Sequence, residues 1–274
     1  GRVADGAADA LCDESLRGLA DDFLRGFELR LLGAGGIVLE QVAVTGSRSA
    51  GGSVLTARPL GTLAGACSWE LLSPEEAPLL CMRMLMGLRL DESIGEVELR
   101  LGTTRGTNAL LERKGDRTLL LITKGFRDAL RIGYQNRPHL FARQIVLPEL
   151  LYERVIEVDE RLSADGDVLV GIDLDGARDA LQVAHRDGIQ SVAIVMLHDY
   201  RYHDHEIALA DVARQVGFGQ VSVSHEVSPL MKLVGRGDTT VVDAYVSPIL
   251  GRYVNLIASS LGNARLMFMQ SNGG

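Results

Sequence analysis

The chain opens with short alternations of apolar and polar residues and, beyond residue 73, turns to longer segments of strand and helix period in succession. Residues 27–32, 37–45, 53–56 and 68–72 are alternating or apolar runs separated by glycine-rich turns such as Gly33-Ala34-Gly35-Gly36. That spacing predicts a small antiparallel β unit. Ser73-Pro74-Glu75-Glu76 then supplies a serine N-cap, a proline at the first helical position and a glutamate three residues after the cap. A helix is expected from there to about Met86, with Gly87 as its stop.

Strands and helices alternate from this point. Residues 96–101 read as a strand with one buried face, Gly102-Thr103-Thr104 breaks the pattern, and residues 107–113 read as a helix closed by Gly115. Residues 117–123 are almost wholly apolar, the pattern of a central strand covered on both faces. Segments 155–159 and 167–170 flank Asp165-Gly166, a hairpin-type turn. Residues 174–186 are amphipathic and stop at Gly188, residues 191–197 form a buried strand, residues 205–216 a helix ending at Gly217, and residues 221–224 a strand. Asp238 is expected to cap a long helix reaching about Ser260, kinked or broken by Pro248, and residues 265–269 form the last strand. The succession predicts an α/β fold, a mostly parallel sheet with flanking helices, carrying a small β-rich N-terminal segment. The corresponding domains are residues 1–72 and 73–274.

Composition narrows the function classes. The chain is 46% hydrophobic and 23% charged, as globular proteins are, and its formal charge of −8 argues against nucleic acid as a partner. Cys12, Cys67 and Cys81 are odd in number and lack metal-like spacing, so reduced thiols and a cytoplasmic location are expected. The first sixteen residues lack the apolar core of a signal peptide, and the 79–90 run is interrupted by Arg83 and Arg89, so no membrane partner is expected. The sequence begins at Gly1 rather than Met, as a piece of a longer protein would.

Several groups carry candidate chemistry. Gly102, Thr103, Thr104 and Asn108 lie where a strand end meets a helix start, and small hydroxyls there let an anion or a polarised carbonyl approach. The same threonines serve equally as helix caps, and Asn108 as a tie across the turn. Ser271, Asn272, Gly273 and Gly274 follow a strand and, taken alone, make an ordinary turn. His198, Asp199, His203, Asp204 and His205 invite a metal site, set against caps and solvated groups of a strand-to-helix loop in which Asp204 suits the N-cap. The second reading is preferred, so no metal is assigned, and His198, nearest the strand end, is kept as a site residue. Arg131, Tyr134 and Arg137 suit a substrate carboxylate held by bidentate arginine contacts, or a solvated surface loop.

The stretch LGTTRGTNALLERKGDRTLLLITKGFRDALRIGYQNRP, followed by LPELLYERVIEVDER, SHEVSPLMKLVGRGDTTVVDAYVSP and MQSNGG, resembles the N-terminal region of the 5-oxoprolinase/hydantoinase A family. The likeness runs from about Ser73 to Gly274, and the β-rich segment before it resembles an insertion of one bacterial subgroup. The resemblance implies an actin-like ATPase (ribonuclease H-like) architecture and ATP-dependent opening of a cyclic amide such as 5-oxoproline or a hydantoin. ATP would phosphorylate the ring carbonyl oxygen and water would open the ring. It implies ATP and Mg²⁺ in the full-length enzyme, a B-type subunit or domain as partner, and an oligomer. It also favours substrate-binding roles for Thr103 and Thr104, with Ser271, Asn272 and Gly273 lining the same cleft as Gly102–Thr104. Two departures matter. The family's phosphate loops, of Asp-x-Gly-Gly-Thr type, are expected before Gly1 and shortly after Gly274, so no ATP is expected on this stretch alone. Where the family usually has serine this chain has Asp199, which puts a transferred role there in doubt. An acetone-carboxylase-like subunit and a non-catalytic scaffold stand as alternatives.

Overall fold

A computed structural model describes residues 10–61, 65–135, 141, 143–144, 146–261 and 264–269. The chain forms two compact units, one of Gly1–Gly102 with Asn255–Gly274 and one of Thr103–Val254. Among the described residues no helix is long and apolar enough to cross a membrane.

The first unit holds the expected antiparallel sheet. Strands β1 (Ala10–Cys12), β2 (Glu28–Leu32), β3 (Val38–Arg48), β4 (Ser53–Thr56) and β5 (Ser68–Leu72) pair in the order β1-β4-β3-β2-β5. Alternation along them buries Leu11, Leu29, Leu31, Val42, Val44, Val54 and Trp69 with Phe23 and Phe27. Helix α1 (Ala77–Met86) ends at Gly87, whose φ of 68° is the left-handed stop expected of it. It starts later than the serine cap predicts. Pro78 has no N–H, and inside a helix begun at Pro74 its ring would meet the carbonyl four residues back; at the first turn it is harmless. Ser73 Oγ instead accepts from Glu75 N, and Glu75 pairs with the buried Arg83 at 2.8 Å. Strand β6 (Glu98–Leu101) follows, shorter than the 96–101 expected.

The second unit is a three-layer α/β structure. Helix α2 (Arg105–Leu111) starts and ends two residues earlier than predicted, and the chain leaves it through Arg113 at φ 55°. Strand β7 (Thr118–Thr123) is buried at every position. Helix α3 (Ala129–Ile132) precedes β8 (Tyr152–Val158), which pairs in parallel with β7. Residues 155–158 therefore belong to the parallel sheet. The hairpin around Asp165-Gly166 is made instead by β9 (Arg161–Leu162) and β10 (Val168–Val170). Helix α4 (Leu174–Arg186) matches its predicted bounds, and β11 (Ser191–Val195), α5 (Asp204–Val216), β12 (Gln220–Val223), the turn α6 (Ser224–Val227) and α7 (Leu233–Leu261) complete the succession. The four strands run in the order β12-β11-β7-β8, all parallel. Leu119 and Leu121 pack with α4 and α5 on one face. Leu120 and Ile122 pack with α3 and with Val241 and Ala244 of α7 on the other.

Helix α7 begins five residues before Asp238, which lies inside it rather than at its cap. Pro248 does not end it. Within the helix, the Tyr245 carbonyl also accepts from Asp116 N at 3.1 Å, just before β7. The last strand, β13 (Arg265–Phe268), pairs in parallel with β6 in a separate two-stranded sheet of the first unit. The single mostly parallel sheet of the sequence reading is thus two parallel sheets, one in each unit, with the β9–β10 hairpin apart from both.

Gly115 and Gly251 test this packing. A Cβ at Gly115 would sit 2.0 Å from the buried Tyr245 ring, whereas one at Gly251, within α7, meets nothing within 4 Å. Gly115→Ala should cost about 1–3 kcal/mol as overpacking, and Gly251→Ala should gain about 0.5–1 kcal/mol from helix propensity. Urea midpoints at constant m-value measure both.

Candidate functional site

The strand order makes a switch point in the second unit. From β7 the chain moves to β8 on one side, then crosses to β11 on the other, so ligands are expected outside the carboxyl ends of β7 and β11. That place is filled by a connected set of polar side chains. Thr123, last in β7, accepts from Leu197 N at 2.9 Å and donates to Glu160. The other oxygen of Glu160 accepts from His205 Nδ1 at 2.7 Å. Glu206, one turn into α5 and fully buried, accepts from Met196 N (2.9 Å), Ser224 Oγ, His225 N (3.0 Å) and His225 Nδ1 (2.7 Å). Four donors fill the capacity of a carboxylate.

Asp199, also fully buried, uses Oδ2 to accept from Glu206 N at 2.7 Å, and so caps α5 from a distance. Asp204 is the first helical residue and His203 occupies the cap position, contrary to the expectation that Asp204 caps. Burial, with Glu206 next to it, pushes the Asp199 carboxyl up to about 8. Arg236, from the first turns of α7, is buried completely and donates to the carbonyls of Met196, Leu197 and Leu230. Burial pulls its pKa down, against the pull of Glu206 and Asp199. His225 is shifted up by its hydrogen bond to Glu206. Among the described residues, the buried side-chain atoms without a partner are His198 Nδ1, Asp199 Oδ1, Arg236 Nε and Ser191 Oγ, and the first three belong to this cluster.

The structure separates the residues proposed from sequence. His198 lies at the switch point, half-buried, its ring 6.4 Å from that of Tyr200. Thr103, Thr104 and Asn108 are exposed around the start of α2. Thr103 Oγ1 accepts from Arg105 N at 3.2 Å, while the Thr104 side chain makes no capping bond. Helix α2 rests on the later part of α7, Gly106 against Val246 and Leu250 and the Arg105 guanidinium 4.1 Å from the Tyr253 ring centre. At 1.5 Å per residue that part of α7 is about 15–25 Å along the helix from Arg236, so these residues do not join His198. Gly102 is at the end of β6, beside Met269 after β13, and the parallel register makes the two strands end together. Ser271, Asn272, Gly273 and Arg137 lie outside the described residues. Arg131 opens on a cavity of about 450 Å³ with Leu147, Glu149 and Tyr152, and the Tyr134 hydroxyl faces Gly235 of α7.

A Cβ at Gly52 would lie 2.2 Å from the Asp13 carbonyl oxygen, and one at Gly33 would touch the Leu39 side chain at 3.1 Å, so these glycines serve close packing. Among the described residues no group of three histidine, cysteine, aspartate or glutamate side chains could hold a metal ion.

The hydantoinase/oxoprolinase N-terminal region family matches residues 70–217, and a second match, hydantoinase/oxoprolinase, covers residues 236–274. The chain belongs to the hydantoinase/oxoprolinase family. It is 40% identical over 205 residues to a 5-oxoprolinase of Dictyostelium discoideum, covering 64% of this chain and 16% of that protein. The chain thus spans under a fifth of the curated oxoprolinases it matches. The crystal structure of an ATP-dependent caprolactamase from Pseudomonas jessenii is similar with a TM-score of 0.62 and 25% identity, over 93% of this chain and 36% of that one. An acetone carboxylase in nucleotide-free form shares the fold, with a TM-score of 0.60 at 20% identity, over 75% of this chain and 33% of that one. Within the hydantoinase/oxoprolinase matches lie Thr123, Glu160, Asp199, Glu206 and Arg236; Ser224 and His225 fall between them.

Two outcomes follow from this geometry. Thr103→Val should cost about 0.5–1 kcal/mol of stability as a lost cap, and Thr104→Val close to none, measured by urea unfolding. The Asp199 pKa, near 8 folded, lies above its unfolded value of about 3.9, so its contribution is complete at low pH and is lost as pH rises through 8. His225, also raised, acts in the same direction. Melting temperature should therefore fall between pH 6 and 9, and Asp199→Asn should flatten that fall; an equally steep decline in the variant would contradict the assignment.

Proposed function

We propose that this chain is part of an ATP-dependent enzyme that opens a cyclic amide, 5-oxoproline, a hydantoin or a related lactam, on an actin-like ATPase architecture. The observation that carries the reading is the family match taken with its relatives: a 5-oxoprolinase and an ATP-dependent caprolactamase both act on cyclic amides. Supporting it is the placement of protonatable groups at the switch point, where an α/β fold binds its ligands. ATP and Mg²⁺ belong to the full-length enzyme. This chain's part is to bind and orient the ring. His198 is the candidate donor at the switch point; Thr103, Thr104 and Asn108 at the start of α2 are a separate candidate group, and so are Gly102 with Ser271, Asn272 and Gly273 after the last strand. Arg131 and Tyr134 would hold a carboxylate carried by the substrate. A B-type subunit or domain and an oligomeric, cytoplasmic enzyme complete the proposal.

The test uses the whole protein. ADP release should depend on a cyclic amide and match ring-opened product one to one, and residues 1–274 alone should release none. ADP release that requires a ketone and bicarbonate would replace this reading with an acetone-carboxylase-like one, and no ATP turnover with any of these substrates would leave the scaffold. Arg131→Gln should raise KM for 5-oxoproline tenfold or more, about 1.4 kcal/mol, and leave it little changed for caprolactam, which has no carboxylate.

A further inference from the structure

His203 and His225 stand apart from the rest of the switch-point cluster because each commits only Nδ1 to a hydrogen bond within the fold. Their rings stack with centroids 4.5 Å apart and planes 17° from parallel. His203 Nδ1 bonds the Asp199 backbone carbonyl, which can only accept, so Nδ1 carries the hydrogen. His225 Nδ1 bonds Glu206 Oε2 at 2.7 Å, and that carboxylate is closed to water. Both Nε2 atoms are left over; the nearest charged group to that of His225 is Glu226 Oε1, 4.0 Å away on an exposed side chain. Unlike Glu206 and Asp199, the two imidazoles are partly exposed, and they follow β12 and β11 at the carboxyl ends of the parallel strands.

We propose that His203 and His225 form an acid–base pair for ring opening, with His225 Nε2 as the acid and His203 Nε2 as the base. Two imidazolium rings stacked face to face repel, so the pair holds one proton rather than two. The partners decide where it rests. His225 bonds an anionic carboxylate and His203 a neutral carbonyl, an arrangement that separates acid from base by environment. The groups facing His225 are Glu206 on α5, Asp199 and His203 on the loop before α5, and Glu226 on its own turn, and the upward shift of His225 agrees with them. Glu206 is then a positioning residue: it fixes the tautomer and orientation of His225 as a triad carboxylate does.

The proton count closes. As the oxygen of water bonds the ring carbonyl carbon, one water proton passes to His203 Nε2. As the carbon–nitrogen bond breaks, the ring nitrogen takes the proton of His225 Nε2. One proton then passes from His203 to His225; the phosphoryl group that ATP placed on the carbonyl oxygen leaves as phosphate with a second water, so the net change is addition of water across the amide bond with ATP converted to ADP and phosphate. The proposal rests on the cyclic-amide reading, so its test has a part that does not.

That part is a titration of the chain carrying ¹⁵N-labelled histidine. His225 should keep its proton to higher pH than a free imidazole, and Glu206→Gln should lower the His225 midpoint by a pH unit or more. His225→Gln should move the His203 titration upward, because the neighbouring charge is gone. Independent titration of the two rings, with neither variant shifting the other ring, would overturn the pair. In the whole protein, His203→Gln should remove the acidic limb of the kcat/KM profile and His225→Gln the basic limb, each lowering kcat on the order of a hundredfold with KM little changed, while His225→Gln also lowers the melting temperature because Glu206 loses a donor. Both profiles unchanged in an enzyme that opens the ring would also overturn it. Absence of ring opening in the wild type would sink the cyclic-amide reading and the catalytic role together, leaving the titration to decide whether the pair shares a proton.

Discussion

Glu206 gathers four hydrogen bonds in a space closed to water, and most of the second unit is arranged around it. Its donors come from the residue after β11, from the first two residues of α6 and from the imidazole of the second of them, so one side chain on α5 ties three elements together. A carboxylate in that position is stable only with every lone pair answered, because leaving one donor out exposes a buried charge. The loop from Met196 to His203 therefore has little freedom in how it leaves the sheet. Its path decides where His198 and His203 stand.

Arg236 closes the same arrangement from the other face. A guanidinium that donates to three backbone carbonyls and touches no carboxylate directly acts as a fixed positive centre, balancing Glu206 at a distance. Asp199, capping α5 through Glu206 N, adds a second carboxyl that burial, and then Glu206 beside it, push up to about 8. The cluster combines opposed tendencies: carboxylates that hold the fold together and one that burial keeps protonated. Buried polar networks of this kind fix one geometry among many, since half-satisfied alternatives cost more than either the full network or an apolar core.

Much of the fold was legible in the sequence because its signals are local. Helix α4 keeps its predicted bounds, and Gly87 and Gly217 stop their helices where a left-handed residue is needed. The failures have local causes too. Pro78 delays α1, and Arg236 is drawn into the first turns of α7 by carbonyls far away in sequence, so Asp238 is no longer at an end. The site was legible only in part. His198 could be found as a polar residue at the end of an apolar strand. Glu206, in a helix whose other charges are solvated, reads as surface, and Thr123 reads as the last residue of a core strand. What marks them is the pairing of Thr123 with Leu197 and of Glu206 with His225, contacts between distant segments that hydrophobic period does not encode.

The first unit is interrupted in sequence, and this sets an order of assembly. β6 leaves the ribosome early, but its only described strand partner, β13, is synthesised after the whole of the second unit: Leu99 must wait for Leu266. Closing so long a loop between flexible ends would be entropically costly. Folding residues 103–254 first replaces the loop with a compact body, and the pairing then needs only short connections. The nascent chain therefore carries an unpaired β6 edge throughout synthesis of the parallel sheet, a period in which the early antiparallel sheet, complete by Leu72, can already be folded.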